Sequence, residues 1–152
     1  MINWYTKVTN DISSLPEAID YYEQELEDAF QETQLKGSVS KASSRLPGHT
    51  AERFGQLQEL EAILEFLNIK LTKERNIAFK KYLENYNRQL SSRDAEKYAD
   101  ADKSVMDIAL LINQVALTRN KYLAIMKGFD VMNWQIGNLT RLKTAGFEDF
   151  EI

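Results

Sequence analysis

The sequence of 152 residues contains no cysteine and one histidine. The absence of cysteine excludes disulfides, thiol catalysis and thiolate metal sites. Imidazole chemistry would rest on His49 alone, which stands beside the turn signal Pro47-Gly48. Because the sequence places neither an orienting carboxylate nor a nucleophile next to it, we interpret His49 as a surface loop residue.

Short catalytic motifs are also missing. The chain has no Walker-type glycine loop, no G-x-G-x-x-G, no H-E-x-x-H and no G-x-S-x-G. Glu61 and Glu65 stand one helical turn apart, a spacing that carboxylate-bridged metals use in helix bundles, but no Glu-x-x-His partner accompanies them. We therefore predict a protein that is not an enzyme and has no metal or other cofactor.

No apolar run approaches the roughly eighteen residues of a membrane-spanning helix. The start, MINWYTKVTNDISSLPEA, lacks the apolar core and the cleavage site of a signal peptide. With 43% hydrophobic and 28% charged residues, the composition is that of one globular domain. We expect a soluble, intracellular single domain over 1–152 that does not engage a membrane.

Charge is distributed unevenly along the chain. Residues 1–32 carry one lysine and eight acids, residues 33–143 carry eighteen Lys/Arg and twelve acids, and residues 144–152 carry three acids and no base. The middle is therefore basic and both ends are acidic. This asymmetry fits a nucleic-acid surface flanked by acidic segments that compete for it or recruit a basic partner, and it also fits helices with solvated charges.

The spacing of apolar residues predicts helices almost throughout. SLPE at 14–17 has the pattern of a capping box with proline in the first turn, and the Ser-rich segment that ends in Pro47-Gly48 has the pattern of a connector. The predicted elements are an acidic helix over 15–36, a connector over 37–50, long helices over 51–90 and 92–145, and an acidic tail over 146–152.

The expected fold is all-α, a long antiparallel helical hairpin with the shorter acidic helix in front. The second long helix has further apolar residues outside its main stripe, namely Leu110, Leu111, Leu117, Leu123, Ile125, Val131 and Trp134. A helix that is apolar on more than one side usually buries the second side against another chain. We therefore predict a homo-oligomer.

A basic and aromatic stretch runs from Lys70 to Lys97, with eight Lys/Arg and four acids. Rows of cations follow phosphates, and tyrosine planes stack on unpaired bases. The candidate contacts to a single strand are Lys73, Lys80, Lys81, Tyr86, Arg88 and Arg93. The alternative is that the tyrosines belong to the core and the lysines to solvent, and Tyr82 does continue the apolar stripe of its helix. The residues alone leave both interpretations open.

The stretch AFKKYLENY (78–86) resembles the UvsY family of phage recombination mediators, whose pattern is close to A-L-K-x-x-L-[DE]-x-Y. The resemblance continues in KYADADKSVMDIALLI (97–112), WQIGNLTRL (134–142) and TAG (144–146), and it spans about residues 65–146. Carried onto this sequence, the family's DNA-contacting lysine falls on Lys80. A nearby family arginine falls on Tyr82, and Lys81 is the cation that can replace it.

The resemblance implies a function in phage DNA recombination and repair. Such a protein binds single-stranded DNA as a ring-like homo-oligomer, helps to displace single-stranded-DNA-binding protein, and loads a RecA-like recombinase in the cytoplasm of the infected bacterial cell. Two alternatives stay open. One is an all-helical phage structural or adaptor protein without DNA binding, and the other is an inhibitor that mimics DNA with its acidic N-terminal helix.

Overall fold

The computed structural model describes residues 2–85 and 89–146, and no strand occurs among them. The elements in order are α1 (Trp4–Asn10), a short 3-10 helix (Ile12–Ser14), α2 (Leu15–Glu32), α3 (Val39–Glu84), α4 (Ser92–Asp100) and α5 (Lys103–Thr144). The all-α prediction is confirmed. Within the described ranges, every helix is too short or too polar to cross a membrane.

Helices α3 and α5 make the most extensive contact in the molecule. Glu61, near the middle of α3, pairs with Arg119 in α5 at 3.0 Å, whereas Tyr82 at the end of α3 donates a hydrogen bond to Asp102, just before α5, at 3.1 Å. Helix α2 packs against both, and the Tyr122 hydroxyl of α5 donates to the Tyr22 carbonyl of α2 at 3.0 Å.

The buried apolar residues of the described ranges form two clusters of unequal size. The main core joins α1, α2, α3 and α5, and its fully buried side chains include Val8, Leu15, Tyr22, Leu60, Ile63, Leu67, Val115 and Tyr122. The distal core, where the end of α3 meets α4 and the start of α5, consists of Ala78, Ala99 and Val105 with Leu71, Phe79 and Tyr82 packed against them. The main core thus buries large side chains, whereas two of the three buried residues of the distal core are alanines.

The predicted connector over 37–50 is wrong from residue 39 onward, because α3 begins at Val39 and continues through Pro47. Val39, Ala42 and Leu46 recur at helical spacing and pack against the main core. Proline in a helix interior costs about 3 kcal/mol, and burial of these side chains offsets part of that cost. The same spacing was present in the sequence, where Pro47-Gly48 suggested a turn.

The predicted capping box at 14–17 does not form. The Ser14 hydroxyl donates to the Asp11 carbonyl at 2.7 Å, and Glu17 instead pairs with Lys7 of α1 at 2.8 Å. Helix α2 still begins at Leu15, with proline in its first turn, but it ends at Glu32 and not at residue 36. Helix α1, which the apolar spacing did not predict, supplies Lys7 as the partner of Glu17, and Asp11, directly after α1, is the partner of Ser14.

The predicted helix over 92–145 is interrupted at residues 101–102. The Asp102 carboxylate accepts from the Ser104 amide at 3.1 Å and so caps a new helix, α5. The predicted helix over 51–90 ends at Glu84, and residues 86–88 lie outside the described part. Of the predicted tail over 146–152, only Gly146 is described, and its φ of +88° is favourable for glycine.

Candidate nucleic-acid interface

Helix α4 lies close against α3 because its inward-facing residues are small. Ala95 and Ala99 are fully buried, and Ala99 packs in the distal core beside Ala78. The Ser91 hydroxyl accepts from the Asp94 amide at 3.2 Å and fixes where α4 begins. The basic stretch of the sequence is therefore folded into two packed helices, the end of α3 and α4, and not into one continuous rod.

Two tyrosines join these helices. The rings of Tyr82 and Tyr98 stack with centroids 5.5 Å apart and an angle of 28° between their planes. Tyr82 is half-buried and hydrogen-bonds Asp102, so it packs in the distal core, whereas Tyr98 is exposed. Hydrogen bonds from Ser104, and then from Tyr82, lower the pKa of Asp102. Tyr82 therefore has a packing role at the junction.

The predicted lysines differ in their surroundings. Lys73 and Lys80 are exposed, and neither forms an ion pair within the part of the chain that the structure describes. They share one side of α3 with the exposed Ile69 and Ile77, and we call these four residues the lysine stripe. Lys81 instead lies 3.5 Å from the Asp102 carboxylate and 5.2 Å from the centre of the Tyr82 ring. Its charge is partly compensated within the chain.

Helix α4 adds a second pair of cations. Arg93 and Lys97 stand one turn apart, both exposed, and neither forms an ion pair among the described residues. Tyr86 and Arg88, which were also predicted to contact DNA, lie outside the described residues. Of the six predicted contacts, the structure places Lys73, Lys80, Lys81 and Arg93 on the two helices of the distal end.

A cleft between α3 and α4 was not predicted. It has a volume of about 470 Å³ and is lined by Arg75, Asn76, Phe79, Glu96, Ala99 and Asp100. A guanidinium, an amide and an aromatic ring are groups that can stack on a base or hydrogen-bond its edge. Arg75 is, however, paired with Asp100 at 3.0 Å. The sequence shows Asn76 and Phe79 at helical spacing, but it does not show that α4 brings Glu96 and Asp100 to the same cleft.

The acidic helix α2 has less free charge than its sequence suggests. Four of its seven acids form ion pairs, Glu17 with Lys7, Glu23 with Lys121, and Glu25 and Glu32 with Arg53. Asp20 and Glu27 form none among the described residues, and both line an open groove of about 760 Å³ between α2 and α5 that also exposes Phe30. This groove combines negative charge with apolar surface.

Arg53 is a buried charge that the apolar spacing did not reveal. Its side chain is 3% exposed, and its guanidinium donates to both oxygens of Glu32, at 2.9 and 2.6 Å, as well as to Glu25 and Gln56. The Glu32 hydrogen bonds raise the pKa of Arg53, and Arg53 in turn lowers the pKa of Glu25. A signal existed, because Leu46, Arg53, Leu60 and Leu67 stand seven residues apart and Arg53 interrupts an otherwise apolar row.

The carboxylate pair considered for a metal does not face a common site, since Glu61 pairs with Arg119 and Glu65 is exposed. The interpretation of His49 as a loop residue is wrong. It lies within α3, and its Nδ1 atom is 3.5 Å from a Glu32 oxygen. Comparisons with protein-family models, with curated proteins and with solved structures found no match to this chain.

Proposed function

We propose that this protein is a phage recombination mediator, which binds single-stranded DNA as a ring-like homo-oligomer and loads a RecA-like recombinase while single-stranded-DNA-binding protein is displaced. The observation that carries the proposal is the lysine stripe. Lys73 and Lys80 are exposed on one side of α3 without an intramolecular ion pair in the described part of the chain, and isoleucines flank them. Cations next to apolar side chains suit a backbone with unstacked bases.

The proposed assembly uses the outer side of α5 in an antiparallel helical hairpin. Leu110, Leu117, Ala124 and Val131 stand seven residues apart and are exposed, and Trp134 continues this apolar seam. Apolar residues at this spacing are typical of a helix that packs lengthwise against another helix. Of the seven residues on which the oligomer prediction rested, Ile125 is buried in the main core and Leu111 packs against it, while the other five support the proposal.

In this proposal each subunit contributes a few weak, salt-sensitive phosphate contacts, and the number of subunits supplies the affinity. Recruitment of the recombinase falls to the groove between α2 and α5, where Asp20 and Glu27 offer charge to a basic segment of a partner. DNA and the recombinase would therefore bind different surfaces of the protein, the lysine stripe of α3 and the groove between α2 and α5. In this proposal the protein acts as a scaffold and not as a catalyst.

A titration of a labelled single-stranded oligonucleotide by fluorescence anisotropy, at several salt concentrations, tests the DNA site. The double variant Lys73→Gln/Lys80→Gln should bind at least about tenfold more weakly and show a shallower dependence of log affinity on log salt, because fewer counterions are released. The control Lys41→Gln/Lys143→Gln removes the same charge from exposed positions of α3 and α5 outside the lysine stripe. Equal affinity and slope in wild type and both double variants would show that the lysine stripe is not the DNA site.

The alternative, a phage structural or adaptor protein without DNA binding, keeps the same apolar seam on α5. It is favoured by the ion pairs that engage Arg75 and Lys81, because these reduce the positive charge of the distal end. It predicts that the wild type shows no single-strand binding even at low salt, while a mass measurement in solution still reports an oligomer.

A further inference from the structure

Three side chains with metal-binding atoms converge where the end of α2 meets the early part of α3. Glu32 is the last residue of α2, and His49 and Glu52 lie on α3, two and five residues after Pro47. One ligand atom from each lies within 4.8 Å of the other two. The His49 Nδ1 atom and a Glu32 oxygen are already 3.5 Å apart.

We propose that Glu32, His49 and Glu52 form a binding site for a divalent transition metal of the Zn²⁺ type. Zinc bonds to nitrogen and oxygen ligands of about 2.0–2.2 Å, in a tetrahedron, place the ligand atoms about 3.3–3.5 Å from one another. The separation of His49 and Glu32 matches this value. Glu52 is exposed, so rotation of its side chain can bring its carboxylate to the third position, and water completes the fourth.

The charges around the site favour a divalent cation. Arg53 is the cation that holds Glu25 and Glu32, and Glu52 stands next to it in the sequence. Three carboxylates against one guanidinium leave two negative charges without compensation when the imidazole is neutral. A bound Zn²⁺ would balance them. Mg²⁺ and Ca²⁺ are poorer candidates, because they prefer a shell of oxygen atoms to an imidazole nitrogen.

Arg53 also acts as a positioning residue for the site. Its guanidinium donates to both oxygens of Glu32, which fixes the plane of that carboxylate and leaves a second lone pair on the oxygen nearest His49. Glu32 is therefore held in place by hydrogen bonds before any metal binds. A metal held there would tie the end of α2 to the turn of α3 that Pro47 weakens, and this role is independent of DNA binding.

Isothermal titration of the full-length, tag-free chain with ZnCl₂ tests the proposal, with CoCl₂ as a second probe because tetrahedral cobalt absorbs visible light. The wild type should bind one Zn²⁺ per chain and melt at a higher temperature with it. His49→Ala should abolish the visible cobalt bands, and the surface variant Glu52→Gln should weaken Zn²⁺ binding at least about tenfold. Glu65→Gln, another exposed carboxylate of α3, is the matched control and should bind as the wild type does.

The proposal is overturned if the wild type binds no Zn²⁺, or if His49→Ala or Glu52→Gln keeps wild-type affinity. A response to MgCl₂ equal to the response to ZnCl₂ would also overturn it, since general attraction to acidic side chains would then explain the binding. Glu52 is solvent-exposed, so its variant gives a clear result even if the His49 variant does not fold.

Discussion

The main core and the distal end differ in the size of the side chains that form their contacts. In the main core, Tyr22 and Tyr122 are fully buried, and the Tyr122 hydroxyl donates a hydrogen bond to the Tyr22 carbonyl. At the distal end, alanines form the contact between α3 and α4, and Tyr98 and several cations are exposed. The long helices are thus held at one end by side chains of large volume, which leaves the other end free to present charge.

The ion pairs differ in the same way. Arg53 is 3% exposed and bridges α3 to two carboxylates of α2. Arg75, further along the same helix, pairs with Asp100 of α4 while the two side chains are 52% and 61% exposed. Exposed pairs contribute little because water and salt screen them, whereas an unpaired buried charge is costly. The contrast shows that the contribution of an arginine of α3 to stability depends on how deeply its ion pair is buried.

The largest difference in the free energy of unfolding is expected between a variant of the buried Arg53 and a variant of the exposed Arg75. Arg53→Met should lower the free energy of unfolding by about 3 kcal/mol. The partly buried carboxylates of Glu25 and Glu32 would then have no cation to compensate their charge. Arg75→Met should lower the free energy of unfolding by less than about 1 kcal/mol. Urea unfolding followed by circular dichroism measures both.

Adding Glu25→Gln and Glu32→Gln to Arg53→Met should recover part of the loss, since the uncompensated charges are then gone. Equal losses in Arg53→Met and Arg75→Met would contradict the distinction between a buried and an exposed pair.

A smaller effect is expected at two glycines of α5. A Cβ atom at Gly137 meets nothing within 4 Å, so Gly137→Ala should raise the free energy of unfolding by about 0.5–1 kcal/mol through helix propensity. A Cβ atom at Gly128 would lie 3.0 Å from the Thr33 Cγ2 atom, so Gly128→Ala should be at least about 1 kcal/mol less stable than Gly137→Ala. Thermal and urea unfolding give the difference.

Combining Gly128→Ala with Thr33→Ser removes the methyl group that clashes and keeps the hydroxyl that donates to the Phe30 carbonyl. This double variant should regain stability relative to Gly128→Ala. If Gly128→Ala alone is as stable as Gly137→Ala, α2 and α5 do not approach each other as closely as the structure indicates.

The smallest effect is a change in the slope of stability with pH. The pKa of Glu25 in the folded protein lies below its ordinary value of 4.5, chiefly through its hydrogen bond to Arg53. Its contribution to stability is therefore complete above about pH 4.5 and is lost as the pH falls through the lowered pKa. In Arg53→Met the free energy of unfolding should fall less steeply as the pH drops below about 4.5, and in Arg75→Met it should fall as steeply as in the wild type. Urea unfolding at a series of pH values measures this slope, and an unchanged slope in Arg53→Met would contradict the assignment.

Much of the helical content followed from the sequence because apolar side chains recur at helical spacing and few prolines interrupt them. The errors came where a local signal competed with burial. Pro47-Gly48 suggested a turn, yet Val39, Ala42 and Leu46 pack on the main core and keep α3 helical. SLPE suggested a capping box, yet Glu17 finds Lys7 of α1 instead.

The candidate site was predictable to the extent that its residues lie on one helix. The spacing of Lys73 and Lys80 placed them together, and both are exposed. Compensation of Lys81 by Asp102 could not be predicted, because it depends on how α5 begins beside the end of α3. The partners of Arg53 stand 21 and 28 residues away in the sequence, so its burial also depended on the packing of two helices.

The two tryptophans of the chain lie in opposite surroundings, and each can serve as an optical reporter. Trp4 of α1 is 6% exposed in the main core, beside Tyr21, while Trp134 at the end of the apolar seam of α5 is 68% exposed. A quencher in solution will therefore reach the emission of Trp134 first. Shielding of that signal reports on what covers α5, and a red shift of the Trp4 emission reports on the docking of α1, without any label added to the protein.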